Sequence, residues 1–380
     1  MIIIKIITGD KKLLYKEVNN TLYYIEHGTE KEKISGLLSL EGLLQVGLMI
    51  DKNILNFDTR IVNQPYLNNT YIMYNNTNYK KFKTNFIDNK EFHNDYLKQI
   101  LYVIGKELSQ ININYRSNKT TYLKEEECYE IINDFLKSIN KKEIFDNLII
   151  NNQIFTLPEE FSTIDNIDND GFVVFNICAN DAYIILKKFD NTVKSMFTLM
   201  HELGHIIDFE TIKNKYSLND KNKLNMVSIY NEVMSKQYEK KFLNYLIDNN
   251  ILKNEAIDIL IDYYWYDYDM CYSIYILSLL KDNFLLREKY KKVSKEELLL
   301  LVKNELLINE NGIDGLNLSI SENTNYGYGA IVSEFLDEKL INIFYDNYRA
   351  KLFDKNFFIN NDLNAEKFKK IYTKKLEKLI

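Results

Sequence analysis

The hydrophobic and polar positions follow different patterns before and after about residue 90. Over the first 80 residues, short apolar segments alternate with turn-prone stretches such as TGDKK, NN and YNNTN, a pattern typical of strands or of mixed structure. The segments read IIIKII, LLYKEV, TLYYIEH and TYIMY. From about Lys90 the apolar positions recur at helical spacing. We therefore predict an N-terminal region over 1–85, with strands or mixed structure, and a helical domain over 86–380.

The helical domain is predicted to be mainly α, with one small β element. Residues 171–177 (GFVVFNI) and 182–189 (AYIILKKF) are predicted to be two strands around the turn CAND. The predicted helices cover residues 91–108, 124–139, 192–210, 226–248, 254–284, 294–308, 329–350 and 364–379.

Glycine is scarce, yet four of the twelve glycines fall within the segment NGIDGLNLSISENTNYGYGA, residues 311–330. Because glycine permits close backbone approach and unusual φ values, this concentration predicts a loop. Composition alone leaves open whether that loop faces a substrate or is an ordinary connection between helices.

Composition and charge exclude several classes of protein. Apolar residues make up 46% of the chain and charged residues 27%, which is typical of a folded globular protein. The net charge of −6 gives no basic surface for nucleic acid. No run of 18 apolar residues and no convincing signal peptide occurs, so we expect a cytoplasmic protein with no membrane partner. Three widely spaced cysteines form no CxxC pair and indicate neither disulfides nor a thiolate zinc site.

The motif with the most specific chemistry is HELGH, residues 201–205. Histidines four residues apart on a helix point the same way, so His201 and His205 can both bind one zinc ion. Glu202 then lies next to the first ligand, in position to act as the general base on a water molecule. Two of the four histidines in the chain are in this motif.

A catalytic zinc site needs a third protein ligand, and no histidine follows His205. Cys271 alone is a poor choice, so a carboxylate is expected. Glu232 is the best carboxylate, because the 26 residues between it and His205 suit a helix end, a loop and an antiparallel return helix. Glu239 lies seven residues later on the same helix face and is predicted to accept a hydrogen bond from a ligand imidazole. Asp208, one turn after His205, is the weaker candidate for that second role.

The segments AYIILKKFDNTVKSMFTLMHELGH and NEVMSKQYE resemble the core of the thimet oligopeptidase and oligoendopeptidase F family of zinc metallopeptidases. The resemblance implies a zincin-type helical fold, with a small β element beside the HExxH helix. It places His201, His205 and Glu232 on the zinc ligands, Glu202 on the general base and Glu239 on the acid seven residues later. The Tyr326-Gly327-Tyr328 element resembles the family's Tyr-rich loop, so Tyr328, or else Tyr326, would stabilise the oxyanion.

The function expected from these residues is zinc-dependent cleavage of short or unfolded peptides. The resemblance also implies that the strand AYIILKKF lies beside the zinc helix, where a peptide substrate could pair with its edge. Two alternatives stay open. One is a protease dedicated to a single protein or precursor peptide. The other is an inactive zinc-containing peptide-binding protein, because the histidine that the family places just before the Tyr-rich loop is absent here. The oligomeric state is not predicted.

Overall fold

The structure is a computed structural model. It describes residues 11–50, 90–110, 120–157, 170–176, 181–215, 231–279, 320–337, 339–342 and 359–377. Within these ranges the chain is mainly helical and has one small sheet.

The elements are numbered in chain order. The helices are α1 (Lys11–His27), α2 (Glu30–Ile50), α3 (Lys90–Leu108), α4 (Glu125–Ser138), α5 (Lys142–Ile150), α6 (Val193–Lys215), α7 (Asn231–Asp248), α8 (Lys253–Leu279), α9 (Ile320–Phe335) and α10 (Ala365–Leu376). The strands are β1 (Ile154–Thr156), β2 (Gly171–Asn176) and β3 (Asp181–Leu186).

The prediction of a mainly helical chain with one small β element is confirmed. Strands β2 and β3 correspond to the two predicted β segments, and helices α3, α4, α6, α7, α8 and α10 each overlap a predicted helix. The predicted helix over 294–308 lies outside the described residues, and so does the predicted division at residue 85.

The strand prediction for the N-terminal region is wrong where the structure describes it. LLYKEV and TLYYIEH both lie in α1. Leu14, Val18, Leu22 and Ile25 are buried along this helix, with the three- and four-residue spacing of one helix face. The short apolar groups that resembled strands are thus successive turns of one buried helical stripe. IIIKII and TYIMY lie outside the described residues.

The chain divides into two compact units. The first contains the described residues of Met1–Asn75, Lys119–Met226 and Tyr238–Leu252. Its α1 and α2 pack together, and their apolar faces share a core with Phe155, Tyr183 and Ile185 of the sheet. Because side chains alternate along a strand, Ile184 and Leu186 of β3 belong to the other face. Helix α6 also packs on β2 and β3.

The sheet has the strand order β1-β3-β2. Strand β3 pairs in parallel with β1, from Ile154 opposite Ile184, and antiparallel with β2, from Gly171 opposite Leu186. Strand β3, the AYIILKKF segment, is therefore central. The expectation that a substrate peptide pairs with its edge is wrong for Ile184 to Leu186, because these residues already pair with both β1 and β2.

The second unit contains the described residues of Asn76–Asn118, Val227–Gln237 and Lys253–Ile380. Helix α8 packs against α3 and α9, and α10 packs against α3 and α9. Aromatic side chains join α8, α9 and α10: the ring centroids of Tyr264 and Tyr372 are 5.0 Å apart, and those of Phe335 and Phe368 are 5.6 Å apart. No helix among the described residues is long and apolar enough to cross a membrane.

The loop predicted over 311–330 is wrong for its second half. Residues 320–330 lie in α9, so Gly327 and Gly329 are helical. Residues 311–319 lie outside the described residues. Glycine is unfavourable inside a helix by roughly 0.5–1 kcal/mol relative to alanine, so these glycines need a packing reason rather than a turn.

Candidate metal centre

Helix α6, which carries the HELGH motif, begins with a reciprocal hydrogen-bonded cap. The Ser195 backbone N–H donates to Thr192 Oγ1 at 3.2 Å, and the Thr192 backbone N–H donates to Ser195 Oγ at 3.0 Å. The Thr192 hydroxyl also donates to Asp190 Oδ1 at 2.7 Å. These bonds satisfy backbone donors that the first turn of a helix leaves without partners, and they fix where α6 starts.

One helical turn separates His201 from His205, and their imidazole rings converge. The two Nε2 atoms are 3.1 Å apart, and both rings are partly buried. Two nitrogens bound to one tetrahedral zinc ion, each at about 2.0–2.1 Å, are about 3.3 Å apart. The spacing of the imidazole nitrogens therefore fits two ligands of one metal ion.

A carboxylate from α7 completes the group. One ligand atom from each of His201, His205 and Glu232 lies within 4.8 Å of the other two. The Ser235 hydroxyl, one turn along α7, is 3.4 Å from Glu232 Oε2 and donates to the Glu232 backbone carbonyl at 3.0 Å. Two imidazoles and one carboxylate are a donor set typical of catalytic zinc, and three protein ligands leave a position open for water or substrate. These side chains fit a zinc ion.

Glu239 forms a hydrogen bond with the His201 imidazole through Nδ1, the ring nitrogen that does not face His205. Glu239 Oε1 is 2.6 Å from His201 Nδ1, and the Glu239 side chain is only 5% exposed. With Glu239 ionised, the carboxylate only accepts hydrogen bonds, so His201 Nδ1 is the donor and the lone pair of Nε2 is available for a metal ion. Glu232 and Glu239 thus act from the same face of α7, seven residues apart.

Glu202 is 4% exposed and lies on α6 beside the first histidine. The first residue of β2, Gly171, packs against its side chain. A Cβ added to Gly171 would lie 3.3 Å from Glu202 Cγ and 3.1 Å from Thr198 Cγ2. The absence of a side chain at Gly171 therefore leaves room for the Glu202 side chain beside the strand.

Asp208, the alternative to Glu239, is fully buried on α6. Its charge acts on Tyr238 of α7: burial, and then the nearby Asp208 carboxylate, raise the pKa of the Tyr238 hydroxyl well above its usual value. Glu239 is the residue for which a hydrogen bond with a ligand imidazole, that of His201, is described.

The two tyrosines predicted to support the oxyanion lie on α9. The half-buried Tyr326 has its ring centroid 6.2 Å from that of Tyr266. Lys236 Nζ is 5.7 Å from the Tyr326 centroid. The backbone of Tyr328 is helical, and its side chain lies outside what the structure describes. The roles of both tyrosines stay predictions.

Two residues near this site were not predicted from the sequence. Lys236 is 1% exposed and donates to Tyr263 Oη at 2.9 Å and Asp267 Oδ1 at 3.0 Å. It lies one turn after Glu232, so the sequence feature that could have identified it is a lysine on the face of α7 that carries the proposed ligand. Gly329 packs on Glu232 itself. The sequence feature that could have identified it is the occurrence of two glycines within three residues of a chain in which glycine is scarce.

Comparisons with protein-family models, curated proteins and solved structures found no match to this chain. The resemblance to the oligopeptidase family therefore stays a prediction, carried by the motif residues alone.

Proposed function

We propose that this chain is a zinc-dependent peptidase. The observation that carries the proposal is the convergence of the His201 and His205 Nε2 atoms and the Glu232 carboxylate on one point. A buried carboxylate, Glu202, lies next to the first ligand on the same helix. Bound zinc would polarise the peptide carbonyl and make water a better nucleophile near neutral pH.

The remaining chemistry belongs to side chains of the chain. Glu202 accepts the proton of the attacking water and passes it to the leaving amine, which is general base and then general acid catalysis. Glu239 keeps the His201 imidazole in one tautomer and one orientation. A tyrosine of α9, Tyr328 or Tyr326, donates a hydrogen bond to the developing oxyanion.

A peptide substrate is proposed to lie along β2. Among the described strands, β2 has a partner on one side only, and its first residue, Gly171, contacts the Glu202 side chain. Backbone hydrogen bonds to this edge would hold an extended peptide with little demand on side-chain identity. We therefore propose short or unfolded peptides as the substrate class.

The test compares zinc-loaded wild type with Glu202→Gln and Glu232→Ala, in peptide hydrolysis and in metal content. Glu202→Gln should keep zinc and lose cleavage, because it removes the base and no ligand. Glu232→Ala should lose zinc. Glu210→Gln, on the same helix, is the matched control and should behave as wild type.

Three results would contradict the proposal. Cleavage by Glu202→Gln at the wild-type rate would refute the assigned base. Full zinc content in Glu232→Ala would refute the third ligand. If wild type binds zinc and hydrolyses no member of a broad peptide panel, general peptidase function fails. Tight binding of an uncleaved peptide would then favour the inactive peptide-binding protein.

A further inference from the structure

Gly329 of α9 lies close to the proposed metal ligand Glu232. A Cβ added to Gly329 would lie 2.8 Å from Glu232 Cβ, 3.0 Å from the Glu232 carbonyl carbon and 3.0 Å from its oxygen. Two of these three atoms are backbone, which cannot rotate away as the end of a flexible side chain can. A side chain at this position would therefore have to move either α9 or the turn of α7 that carries Glu232.

The turn of α7 that carries Glu232 is held in place within the second unit. One turn further, Lys236 forms a buried ion pair with Asp267 and donates to the Tyr263 hydroxyl, both on α8. The side chains of this ion pair are 1% and 4% exposed. Separating a buried pair leaves an uncompensated charge, so the α7 turn cannot retreat without a large loss of stability.

Helix α9 is held as well. Glu334, near its end, pairs with Lys375 of α10 and is buried. The backbone carbonyl of Leu336, just after α9, accepts a hydrogen bond from Gln237 Nε2 at 2.8 Å. With both helices held, the space that an added methyl group needs must come from local displacement at Glu232.

We propose that Gly329 is a positioning residue for the metal centre, an inference that rests on the proposed zinc site. The missing Cβ lets α9 lie directly on the backbone of Glu232, and this contact sets where the Glu232 carboxylate points. The glycine is thus kept inside a helix, despite its low helix propensity, because a metal ligand lies under it.

The test measures zinc affinity by competition with a chelator, together with the visible spectrum of the Co²⁺ form. The variants are Gly329→Ala and the matched control Gly105→Ala. Gly105 is also helical and in the same unit, but the atoms nearest to its added Cβ belong to the Tyr268 side chain, the first at 3.3 Å, and not to a backbone. Each affinity is measured at a temperature where circular dichroism shows the variant folded.

Gly329→Ala should bind zinc roughly 10- to 100-fold more weakly, the range seen when groups that orient metal ligands are removed, and its Co²⁺ spectrum should change. Gly105→Ala should keep the wild-type affinity and spectrum. Wild-type affinity in folded Gly329→Ala would overturn the inference while leaving the zinc site intact. Failure of wild type itself to bind zinc would instead overturn the proposed function, and this inference with it.

A second variant tests the same contact if Gly329→Ala does not fold. Glu232→Asp shortens the ligand side chain by one methylene group and adds no bulk. If the backbone at Glu232 is held by Gly329, it cannot move to bring the shorter carboxylate to zinc. Zinc affinity should then fall as far as in Glu232→Ala. Wild-type affinity in Glu232→Asp would show that this backbone is free to adjust, and would overturn the inference.

Discussion

The hydrogen bond between Glu239 and His201 gives the sharpest quantitative prediction about the metal centre. Glu239 Oε1 is 2.6 Å from His201 Nδ1, and both groups are shielded from solvent. Glu239→Gln keeps the size of the side chain and offers a neutral carbonyl oxygen to the same N–H. Glu239→Ala removes the acceptor altogether. The two substitutions therefore separate the charge of the acceptor from its presence.

The expected magnitudes follow from the hydrogen bond itself. A bond to a charged group contributes about 1.5–3 kcal/mol and a neutral one about 0.5–1.5 kcal/mol. Replacing the carboxylate by an amide should therefore cost about 1–1.5 kcal/mol of zinc binding free energy, which is roughly a 5- to 10-fold weaker affinity. Removing the acceptor should cost up to roughly 100-fold, because the imidazole also loses its fixed tautomer and orientation.

The assay is zinc affinity by chelator competition, with thermal unfolding of the zinc-free forms measured in parallel. Glu210→Gln is the matched control, because it makes the same change of a carboxylate to an amide on the helix that carries His201. It should keep the wild-type zinc affinity. If Glu239→Ala binds zinc as tightly as wild type, or if Glu210→Gln loses as much affinity as Glu239→Ala, the orienting role of Glu239 is refuted.

Four further predictions concern stability and reactivity. Thr192→Ala should destabilise the protein by about 1 kcal/mol in urea unfolding, through loss of the helix cap; an unchanged midpoint would contradict this. Burial would raise the pKa of Asp190, but hydrogen bonds from Thr192 and its other neighbours lower this pKa. The stability that Asp190 contributes is therefore present above its ordinary pKa and is lost as the pH falls through the lowered value. Asp190→Asn should flatten this dependence of stability on acid pH. Lys236→Met should cost about 3–5 kcal/mol by removing the cation beside the buried Asp267 carboxylate, and adding Asp267→Leu should recover most of it; equal losses in both variants would argue against the pair. Burial raises the pKa of the Cys128 thiol to about 11, so alkylation at pH 8 should label it only after unfolding.

The secondary structure was predictable where apolar residues recurred at one spacing, that of a helix or that of a strand, through a long segment. Helices α3 and α4 and the strands β2 and β3 lie where their patterns predicted them. Helix α1 was mistaken for strands because its turns are separated by polar pairs such as Asn19 and Asn20. Over four to six residues, a buried helical stripe and an alternating strand contain similar apolar groups. Length, not local composition, distinguishes them.

The order of the strands could not be predicted from the sequence. Its pattern predicted β2 and β3, but β1 is three residues long and carries no periodic signal. Pairing of β1 on the free side of β3 changes which strand lies at the edge. An argument about substrate pairing that depends on the edge therefore needs the tertiary structure.

The proposed metal ligands could be predicted from the sequence more readily than the residues that position them. The spacing of His201 and His205, and of Glu232 and Glu239, is local helical geometry that a linear pattern contains. The contacts of Gly171 with Glu202 and of Gly329 with Glu232 join residues about 30 and nearly 100 positions apart. Nothing in a local pattern specifies such pairs.

Helix α7 buries several charged side chains near the proposed metal site. Residues 233–240 are all buried, and they include the charged Lys236, Glu239 and Lys240. A buried charge pair adds little net stability compared with apolar residues of similar volume, so stability alone does not account for these choices. Glu239 orients a proposed ligand, and the Lys236 pair holds the turn that carries Glu232. If this explanation is right, the double variant of Lys236 and Asp267 should keep its stability and still weaken zinc binding, since apolar packing replaces the energy of the pair without its geometry.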